Sequence, residues 1–258
     1  MVTGSSSGIG ESIARTLAKE GAIVVIHGRN AERAQRVVDA IQNDGGKAVM
    51  ALGDLTTDEG AAVVLEQTLK ALGAIDILVN NSGGTEKTAD WHTASLAEWD
   101  LAFQQNFFSA LRLIHAIVPQ MRSQGWGRII NIGTGWAMQP SSSMPHYAAA
   151  KAAMVNSTVS LARGLAGTGV TVNTVSPGPI RTPLLEQVML ELSAQNGWGN
   201  TWDEIEPKVI TQVVPLSVNR IGHVEDIGNA VTYLASPLAD FIDGANLRVD
   251  GGYVTAIN

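Results

Sequence analysis

The stretch Thr3-Gly4-Ser5-Ser6-Ser7-Gly8-Ile9-Gly10 decides the fold, and it leads into a helical pattern that runs from Glu11 to Lys19 and ends at Gly21. A glycine-rich turn at a helix N-terminus presents free backbone N–H groups and the positive end of the helix dipole, which together bind a pyrophosphate. A serine-rich turn that only caps a helix has the same local sequence. On the dinucleotide interpretation, the contacting residues are Gly4, Ser6, Ser7, Gly8, Ile9 and Gly10.

The rest of the chain alternates between strand and helix patterns, which favours the dinucleotide interpretation. Helical spacing of apolar residues is seen, for example, at Ile9, Ile13 and Leu17. Short buried strands separated by amphipathic helices predict a Rossmann-type doubly wound parallel sheet of about seven strands, in one α/β domain over residues 1–258. The predicted strands are Ile23 to Ile26, Ala48 to Leu52, Ile75 to Val79, Arg128 to Ile132, Val170 to Val175 and Asn246 to Val249.

The first strand is the one difficulty for this fold. It should precede the glycine loop, yet only Met1 and Val2 stand before Thr3, fewer than the about five residues of a typical strand. Either the chain begins inside that strand or the central strand is unusually short.

Composition excludes several classes of function. The formal charge of −7 argues against nucleic acid or an anionic membrane as the main partner, because both favour a basic face. The chain has no cysteine, and its five histidines show no metal-ligand spacing, so we expect no metal. No apolar run reaches membrane-spanning length and no basic-then-apolar leader opens the chain, so we expect a cytoplasmic protein.

The residues after the strand Ile23 to Ile26 indicate which cofactor is preferred. A strand at this place usually ends in Asp or Glu when NAD(H) is bound, because the carboxylate binds the ribose hydroxyls. Here Gly28 occupies that end and Arg29 follows, which fits a 2′-phosphate and favours NADP(H). The alternative is that Arg29 is a solvated residue at the start of a helix.

Two further loops follow predicted strands and are candidates for the adenosine site. Asp54 and Leu55 come after the predicted strand Ala48 to Leu52, where Asp54 either meets the adenine amino group or organises a turn. Asn81, Ser82 and Gly83 come after the predicted strand Ile75 to Val79. Small residues there either let adenosine lie against the backbone or simply form a glycine turn.

Tyr147 and Lys151 are four residues apart in an alanine-rich helical pattern, so both side chains lie on one helix face. An ammonium about 4 Å from a phenol, at an effective dielectric of ~20, contributes roughly 4 kcal/mol, or about 3 pKa units. We therefore expect Lys151 to lower the pKa of Tyr147 toward working pH, as general acid catalysis requires. A Tyr and a Lys at this spacing are also common on a solvated helix face.

Motifs in a fixed order along the chain resemble those of the classical short-chain dehydrogenase/reductase family, and the nearest likeness is to 3-oxoacyl carrier-protein reductases. The motifs are Thr3-Gly4 with Gly8-Ile9-Gly10, Asn80-Asn81-Ser82-Gly83, Asn106, Tyr147 with Lys151, Pro177-Gly178 and Asp250-Gly251-Gly252. The resemblance implies hydride transfer between a nicotinamide and a carbonyl or alcohol. It also implies a homotetramer, built through the helices that carry Asn106 and Tyr147 and through the C-terminal strand.

The resemblance assigns the catalytic residues. Tyr147 would exchange a proton with the substrate oxygen, and Lys151 would support it and hold the nicotinamide ribose. Asn106, on a helix from about Ser95 to Met121, would anchor water in a proton relay. After the strand that corresponds to Arg128 to Ile132, the family usually has a serine, and this chain has Thr134. The threonine hydroxyl can do the same chemistry, and its methyl group narrows the pocket. The alternatives to Thr134 are the serines of residues 141–143.

The same resemblance places the loop after the predicted strand Val170 to Val175 against the nicotinamide carboxamide. Its residues are Pro177, Gly178, Ile180 and Thr182, and the rigidity that two prolines give the loop is the alternative reason for this sequence.

Residues 184–214 leave the core pattern, and we expect them to form a helical lid over the substrate. An apolar stripe marks one helix, and Thr201 with Glu204 forms a capping-box pattern at the start of a second. An apolar, partly aromatic pocket would take a hydrophobic ketone or alcohol, although such residues also occur as simple packing. The residues predicted to line this pocket are Trp136, His146, Leu184 and Trp198.

Two other functions fit the same scaffold. A dinucleotide-binding regulator without turnover would keep the fold, since fold does not assign activity. The joint presence of Tyr147, Lys151 and Asn106 argues against that alternative, whereas Thr134 leaves it open. An epimerase or dehydratase that borrows the cofactor is disfavoured by the absence of a large C-terminal substrate domain.

Overall fold

The structure is a computed structural model that describes residues 1–84 and 88–256. Within these residues every strand pairing is parallel, with β1 next to β2 and with the last four strands paired in chain order. Each predicted strand is found with its ends at most two residues from the predicted bounds. The strands are β1 (Ile23–Gly28), β2 (Lys47–Leu52), β3 (Ile77–Asn80), β4 (Gly127–Ile132), β5 (Val170–Pro177) and β6 (Asn246–Val249).

Val2 connects the two groups of strands, because it forms parallel bridges to Ile26 of β1 and to Val79 of β3. The sheet therefore runs β2, β1, Val2, β3, β4, β5, β6. The predicted central position before the glycine loop is therefore occupied, through the bridge contacts of Val2.

Helices cover both faces of the sheet, as expected for strands that are apolar on both sides. Adjacent residues of β1 belong to opposite cores: Ile26 packs with α1, α2 and α9, whereas Val25 packs with α3 and α5. This confirms the doubly wound architecture. The helices are α1 (Gly8–Lys19), α2 (Ala31–Asn43), α3 (Asp58–Leu72), α4 (Leu96–Phe103), α5 (Ser109–Gln124), α6 (Pro145–Gly164), α7 (Pro183–Asn196), α8 (Trp202–Gln212) and α9 (Val224–Ala235).

The long helix predicted around Asn106 is interrupted. It begins at a capping box in which Ser95 and Glu98 satisfy each other's backbone N–H groups, and a π-helical turn at Gln104–Phe108 separates α4 from α5. Asn106 is buried in this turn. Single π-turns inside α-helices occur frequently at functional sites.

The predicted lid region forms α7 and α8, and the capping box of Thr201 and Glu204 is confirmed at the start of α8. These helices share a small apolar core of their own, formed by Met189, Ile205, Val209, Ile210 and Ile221. In residues 1–84 and 88–256 no helix is long and apolar enough to cross a membrane. The same residues contain no group of three His, Asp or Glu side chains placed to hold a metal ion.

Candidate active site

Two adjoining cavities, of about 370 and 890 Å³, open at the carboxyl ends of the strands. The loops after β1 and β2 line the smaller cavity, and the loop after β5 lines the larger one together with the start of α6. Both are lined by Gly4, Ser7, Asn81, Gly83, Gly84 and Leu184. A ligand that fills both cavities is long and extended, as a dinucleotide is.

The glycine loop lies where the two cavities meet, and Asn81 holds its backbone. The Asn81 Nδ2 donates hydrogen bonds to the carbonyls of Thr3 (2.9 Å) and Gly4 (3.2 Å), and the Thr3 hydroxyl accepts one from the Asn81 N–H (2.9 Å). A Cβ on Gly10 would collide with the Gly4 carbonyl, so this close approach requires glycine. The first turn of α1 lines the larger cavity, and its free N–H groups and helix dipole fit a pyrophosphate.

Arg29 and Asp54 lie at the rim of the smaller cavity, with 3.8 Å between Nη1 and Oδ2. The Asp54 carboxylate accepts hydrogen bonds from the Thr56 N–H (2.9 Å) and hydroxyl (2.8 Å), and these hold the pKa of Asp54 below its ordinary value. Asp54 thus organises a turn, one of its two predicted roles, and the adenine contact stays a prediction. Leu55 is 3 % exposed, so it offers mainly its backbone.

Two arginines without a predicted role, Arg33 and Arg36, line the larger cavity. Arg36 donates to Glu11 (2.8 Å) and to the carbonyl of Ser6 (3.4 Å), so it lies over the glycine loop. The two arginines are three residues apart at the start of α2, which is the spacing of one helix face. That spacing, directly after Arg29, is the sequence signal that could have identified them.

Thr134, Tyr147 and Lys151 meet in the larger cavity. Thr134 follows β4, and the other two lie one turn apart on α6, as the sequence predicted. The Thr134 side chain is close enough to Tyr147 to act on its pKa. Lys151 is only 4 % exposed, and its Nζ donates to the carbonyl of Ile132 at 2.7 Å.

The predicted lowering of the Tyr147 pKa is wrong for this structure. Burial raises the pKa of Tyr147, and the Thr134 side chain opposes the rise only in part. Burial also lowers the pKa of Lys151 to about 8. The physical reason is that the Lys151 Nζ is directed at the Ile132 carbonyl and lies 6.0 Å from the Tyr147 ring centroid, so desolvation of the phenolate outweighs attraction to the ammonium.

Asn106 holds the turn beside Lys151. Its Oδ1 accepts from the Gly84 N–H (2.8 Å), and its Nδ2 donates to the carbonyls of Gly84 (2.9 Å) and Ala102 (2.9 Å). A Cβ on Gly83 would lie 2.5 Å from the Asn106 Oδ1 and 3.4 Å from the Lys151 Nζ, so only glycine fits here. The side chain is therefore engaged with the loop after β3, and its predicted role in a water relay stays a prediction.

The loop after β5 supplies three of its four predicted residues to the larger cavity, namely Pro177, Gly178 and Thr182. The Thr182 hydroxyl also caps α7 by accepting from the Leu185 N–H at 3.2 Å. Ile180, the fourth, lines neither cavity: it is buried and bridges to Gly222, so its predicted contact with the carboxamide stays a prediction.

Two of the four predicted substrate residues lie in or beside the cleft. Leu184 lines both cavities and is 68 % exposed. Trp136 packs edge-on against Tyr147, with 6.2 Å between ring centroids, and its Nε1 donates to the Tyr253 hydroxyl at 2.9 Å.

The other two are directed elsewhere. His146 is buried and packs against Trp99, because the residue before Tyr147 lies on a different side of α6. Trp198 packs on the apolar core shared by α7 and α8. The Ser141 and Ser143 hydroxyls bond to each other (2.7 Å), and none of the serines of residues 141–143 lines the two cavities, whereas Thr134 lines the larger one with Tyr147.

Comparisons with known proteins agree with this geometry. A family model described as short chain dehydrogenase matches residues 1–192. An uncharacterized oxidoreductase of Bacillus subtilis (strain 168) is 38 % identical over 260 residues, covering 100 % of this chain and 96 % of the relative. A 3-oxoacyl-[acyl-carrier-protein] reductase of Vibrio cholerae is 36 % identical over 252 residues, covering 98 % and 95 %. The L-sorbose reductase of Gluconobacter frateurii, solved with NADPH and L-sorbose, has a TM-score of 0.92 at 32 % identity, covering 99 % and 96 %.

Proposed function

Because the chain belongs to the short-chain dehydrogenase family and is an oxidoreductase for a nicotinamide dinucleotide, we propose that it transfers a hydride between NADP(H) and a carbonyl or secondary alcohol. The observation that carries the proposal is the meeting of Thr134, Tyr147 and Lys151 in the cavity lined by the first turn of α1. A phenol, a hydroxyl and an ammonium beside a pyrophosphate-binding turn are the groups that a carbonyl reduction needs.

The residues of the cleft fit NADP(H) from end to end. The first turn of α1 would hold the pyrophosphate, and the backbone around Pro177 and Gly178, with the Thr182 hydroxyl, would bind the carboxamide. When bound, the nicotinamide supplies or accepts the hydride. Lys151 would hold the nicotinamide ribose, and Asn81, Ser82 and Gly83 would lie against the adenosine portion.

Arginines favour the phosphorylated cofactor. Arg29, Arg33 and Arg36 surround the mouth of the cleft on the side of the glycine loop, and Gly28 replaces the acid that would repel a 2′-phosphate. The L-sorbose reductase that superposes on this chain was solved with NADPH, which supports the same preference.

Tyr147 would donate its proton to the carbonyl oxygen as the hydride reaches the carbonyl carbon. Its raised pKa keeps the hydroxyl protonated at neutral pH, which suits the acid of a reduction. Thr134 would hold the substrate oxygen, since its hydroxyl already lies beside that of Tyr147. In the reverse direction, the deprotonated form of Tyr147 would take the proton from an alcohol.

The substrate would enter under α7. Leu184 and Trp136 give this side of the cleft an apolar wall, and three apolar side chains of α7 are at least 45 % exposed: Leu184, Val188 and Leu190. A lid that closes with these residues would select a small-molecule ketone or alcohol with an apolar portion.

A homotetramer is part of the proposal, and exposed apolar side chains support it. Phe108 on the π-turn is 37 % exposed and Val159 on α6 is 39 % exposed, and Leu238, Phe241 and Leu247 are exposed at and before the C-terminal strand. Light scattering coupled to size-exclusion chromatography measures the assembly. A cytoplasmic location also stays a prediction.

Purified protein screened against ketones and alcohols, with NADPH or NADH absorbance followed, tests the proposal. Turnover of at least one ketone, faster with NADPH, supports it. Tight cofactor binding without turnover of any substrate would instead favour a dinucleotide-binding regulator.

A further inference from the structure

His27 links the two loops that form the cofactor cleft. It is the next-to-last residue of β1 and is 3 % exposed. Its Nδ1 lies 3.0 Å from the backbone nitrogen of Gly4 in the glycine loop. Its Nε2 lies 3.2 Å from the carbonyl oxygen of Gly53, which directly precedes Asp54.

These partners determine the protonation state of the ring. The Gly4 N–H is a donor, so Nδ1 accepts and carries no proton. The Gly53 carbonyl is an acceptor, so Nε2 carries the proton and donates. The imidazole is therefore neutral, and a second proton on Nδ1 would face the Gly4 N–H.

The backbone of His27 strengthens the same link. Its N–H donates to the Ser5 hydroxyl (3.0 Å), and its carbonyl accepts from the Ser5 N–H (2.9 Å). The Ser5 hydroxyl in turn donates to the Val2 carbonyl (2.7 Å), so the glycine loop is joined to the centre of the sheet.

Burying an imidazole ring at this position is energetically unfavourable, because the ring is removed from water. The preceding residues of β1, Val24, Val25 and Ile26, are apolar and buried. Burial of the ring disfavours its charged form and lowers the pKa of His27 to about 4. The charged groups that act on the ring are Asp54, which favours its protonation, and Arg29, which opposes it. The imidazole is retained in the core with a hydrogen bond on each nitrogen.

We propose that His27 is a positioning residue for the cofactor: its neutral ring fixes the glycine loop relative to the loop that begins at Gly53. The smaller cavity lies between these loops, and His27 is part of its wall. Loss of the ring would let the two loops separate and would weaken binding of the adenosine half of the cofactor. The inference rests on the proposed function.

Three substitutions separate the two hydrogen bonds. His27→Asn keeps an acceptor near the Nδ1 position, His27→Gln keeps a donor near the Nε2 position, and His27→Phe keeps neither. Val25→Ala is the matched control, because it opens a cavity in the same strand, two residues before His27 on the same face, in the core shared with α3 and α5. Melting temperatures of all variants report whether each is folded.

Fluorescence titration with NADPH and with NADH gives the dissociation constants without any substrate. We expect His27→Phe to weaken NADPH binding by about tenfold or more, each single-bond variant to weaken it by roughly fivefold, and Val25→Ala to leave it unchanged. If His27→Phe does not fold, the Asn and Gln variants decide the matter. Wild-type affinity in every folded His27 variant would overturn the inference, whereas a wild-type protein that binds neither cofactor would overturn the proposed function itself.

Discussion

Lys151 donates a hydrogen bond from its Nζ to the carbonyl oxygen of Ile132 at 2.7 Å, and this bond places the ammonium at the end of β4. Burial lowers the pKa of Lys151 to about 8 and raises the pKa of Tyr147. Lys151 therefore loses its proton at a lower pH than Tyr147. Under the proposed mechanism, we expect the charge of Lys151, rather than the proton of Tyr147, to limit the reaction on the alkaline side.

The first prediction is that kcat/KM for carbonyl reduction falls as pH rises through about 8. Below that pH Lys151 is charged and can hold the nicotinamide ribose, and above it the neutral amine loses this interaction while Tyr147 is still protonated. Initial rates of NADPH oxidation between about pH 6 and about pH 10 measure the profile. In Lys151→Arg the guanidinium stays charged, so its alkaline limb should move upward. A wild-type profile that stays flat to pH 10 would contradict this role.

The second prediction concerns the proton donor. Tyr147→Phe should leave the NADPH dissociation constant nearly unchanged and lower kcat by about 10²- to 10⁴-fold, because only the proton transfer is removed. Tyr233→Phe is the control, since this tyrosine lies on α9 and is 45 % exposed. Full turnover by Tyr147→Phe would show that another group supplies the proton.

The third prediction concerns cofactor preference. Replacing Gly28 with Asp and Arg29 with Ala should move the ratio of kcat/KM values toward NADH by about tenfold or more, because the carboxylate repels a 2′-phosphate and binds ribose hydroxyls. A Cβ at Gly28 would lie 2.8 Å from the Ser6 Oγ, so that hydroxyl must rotate to admit the aspartate. Arg122→Ala, at the far end of α5, controls for the loss of a positive charge. An unchanged ratio would discard the assignment.

Sequence patterns predicted the strands, the glycine loop and the meeting of Tyr147 with Lys151, because these follow from local periodicity and from parallel topology. They did not predict where the Lys151 ammonium points, since its partner, the Ile132 carbonyl, is brought to it only by the packing of α6 on β4. The sequence did not predict, for a similar reason, that Trp198 packs on the core shared by α7 and α8 and lines neither cavity. An apolar stripe shows that a helix face is covered, but not whether a ligand or another helix covers it.

The contacts of His27 with the two loops could not be predicted from local patterns either, because Gly4 and Gly53 are 23 and 26 residues away from it in the sequence. A histidine in an otherwise apolar strand was the visible signal. Metal-ligand spacing, the pattern sought among the five histidines, does not reveal its structural role.

The last prediction follows from the neutral state of His27. An unfolded chain protonates this histidine near pH 6.5, whereas burial lowers its pKa in the folded protein to about 4. As the pH falls from 6.5 to 4, the unfolded state takes up a proton that the folded state refuses, so the free energy of unfolding decreases. The full loss is about 3 kcal/mol, and it is complete below pH 4. Asp54 and Arg29, which act on the ring with opposite sign, are present in both proteins compared below.

Urea unfolding of the wild type and of His27→Gln, at neutral pH and near pH 4.5, measures this contribution. Other groups also titrate in this range, so the informative quantity is the difference between the two proteins at each pH. We expect the wild type to lose more stability than His27→Gln on acidification, because glutamine has no proton to take up. Equal losses in both proteins would mean that folding does not lower the pKa of His27, and would contradict the neutral buried ring inferred from its contacts with Gly4 and Gly53.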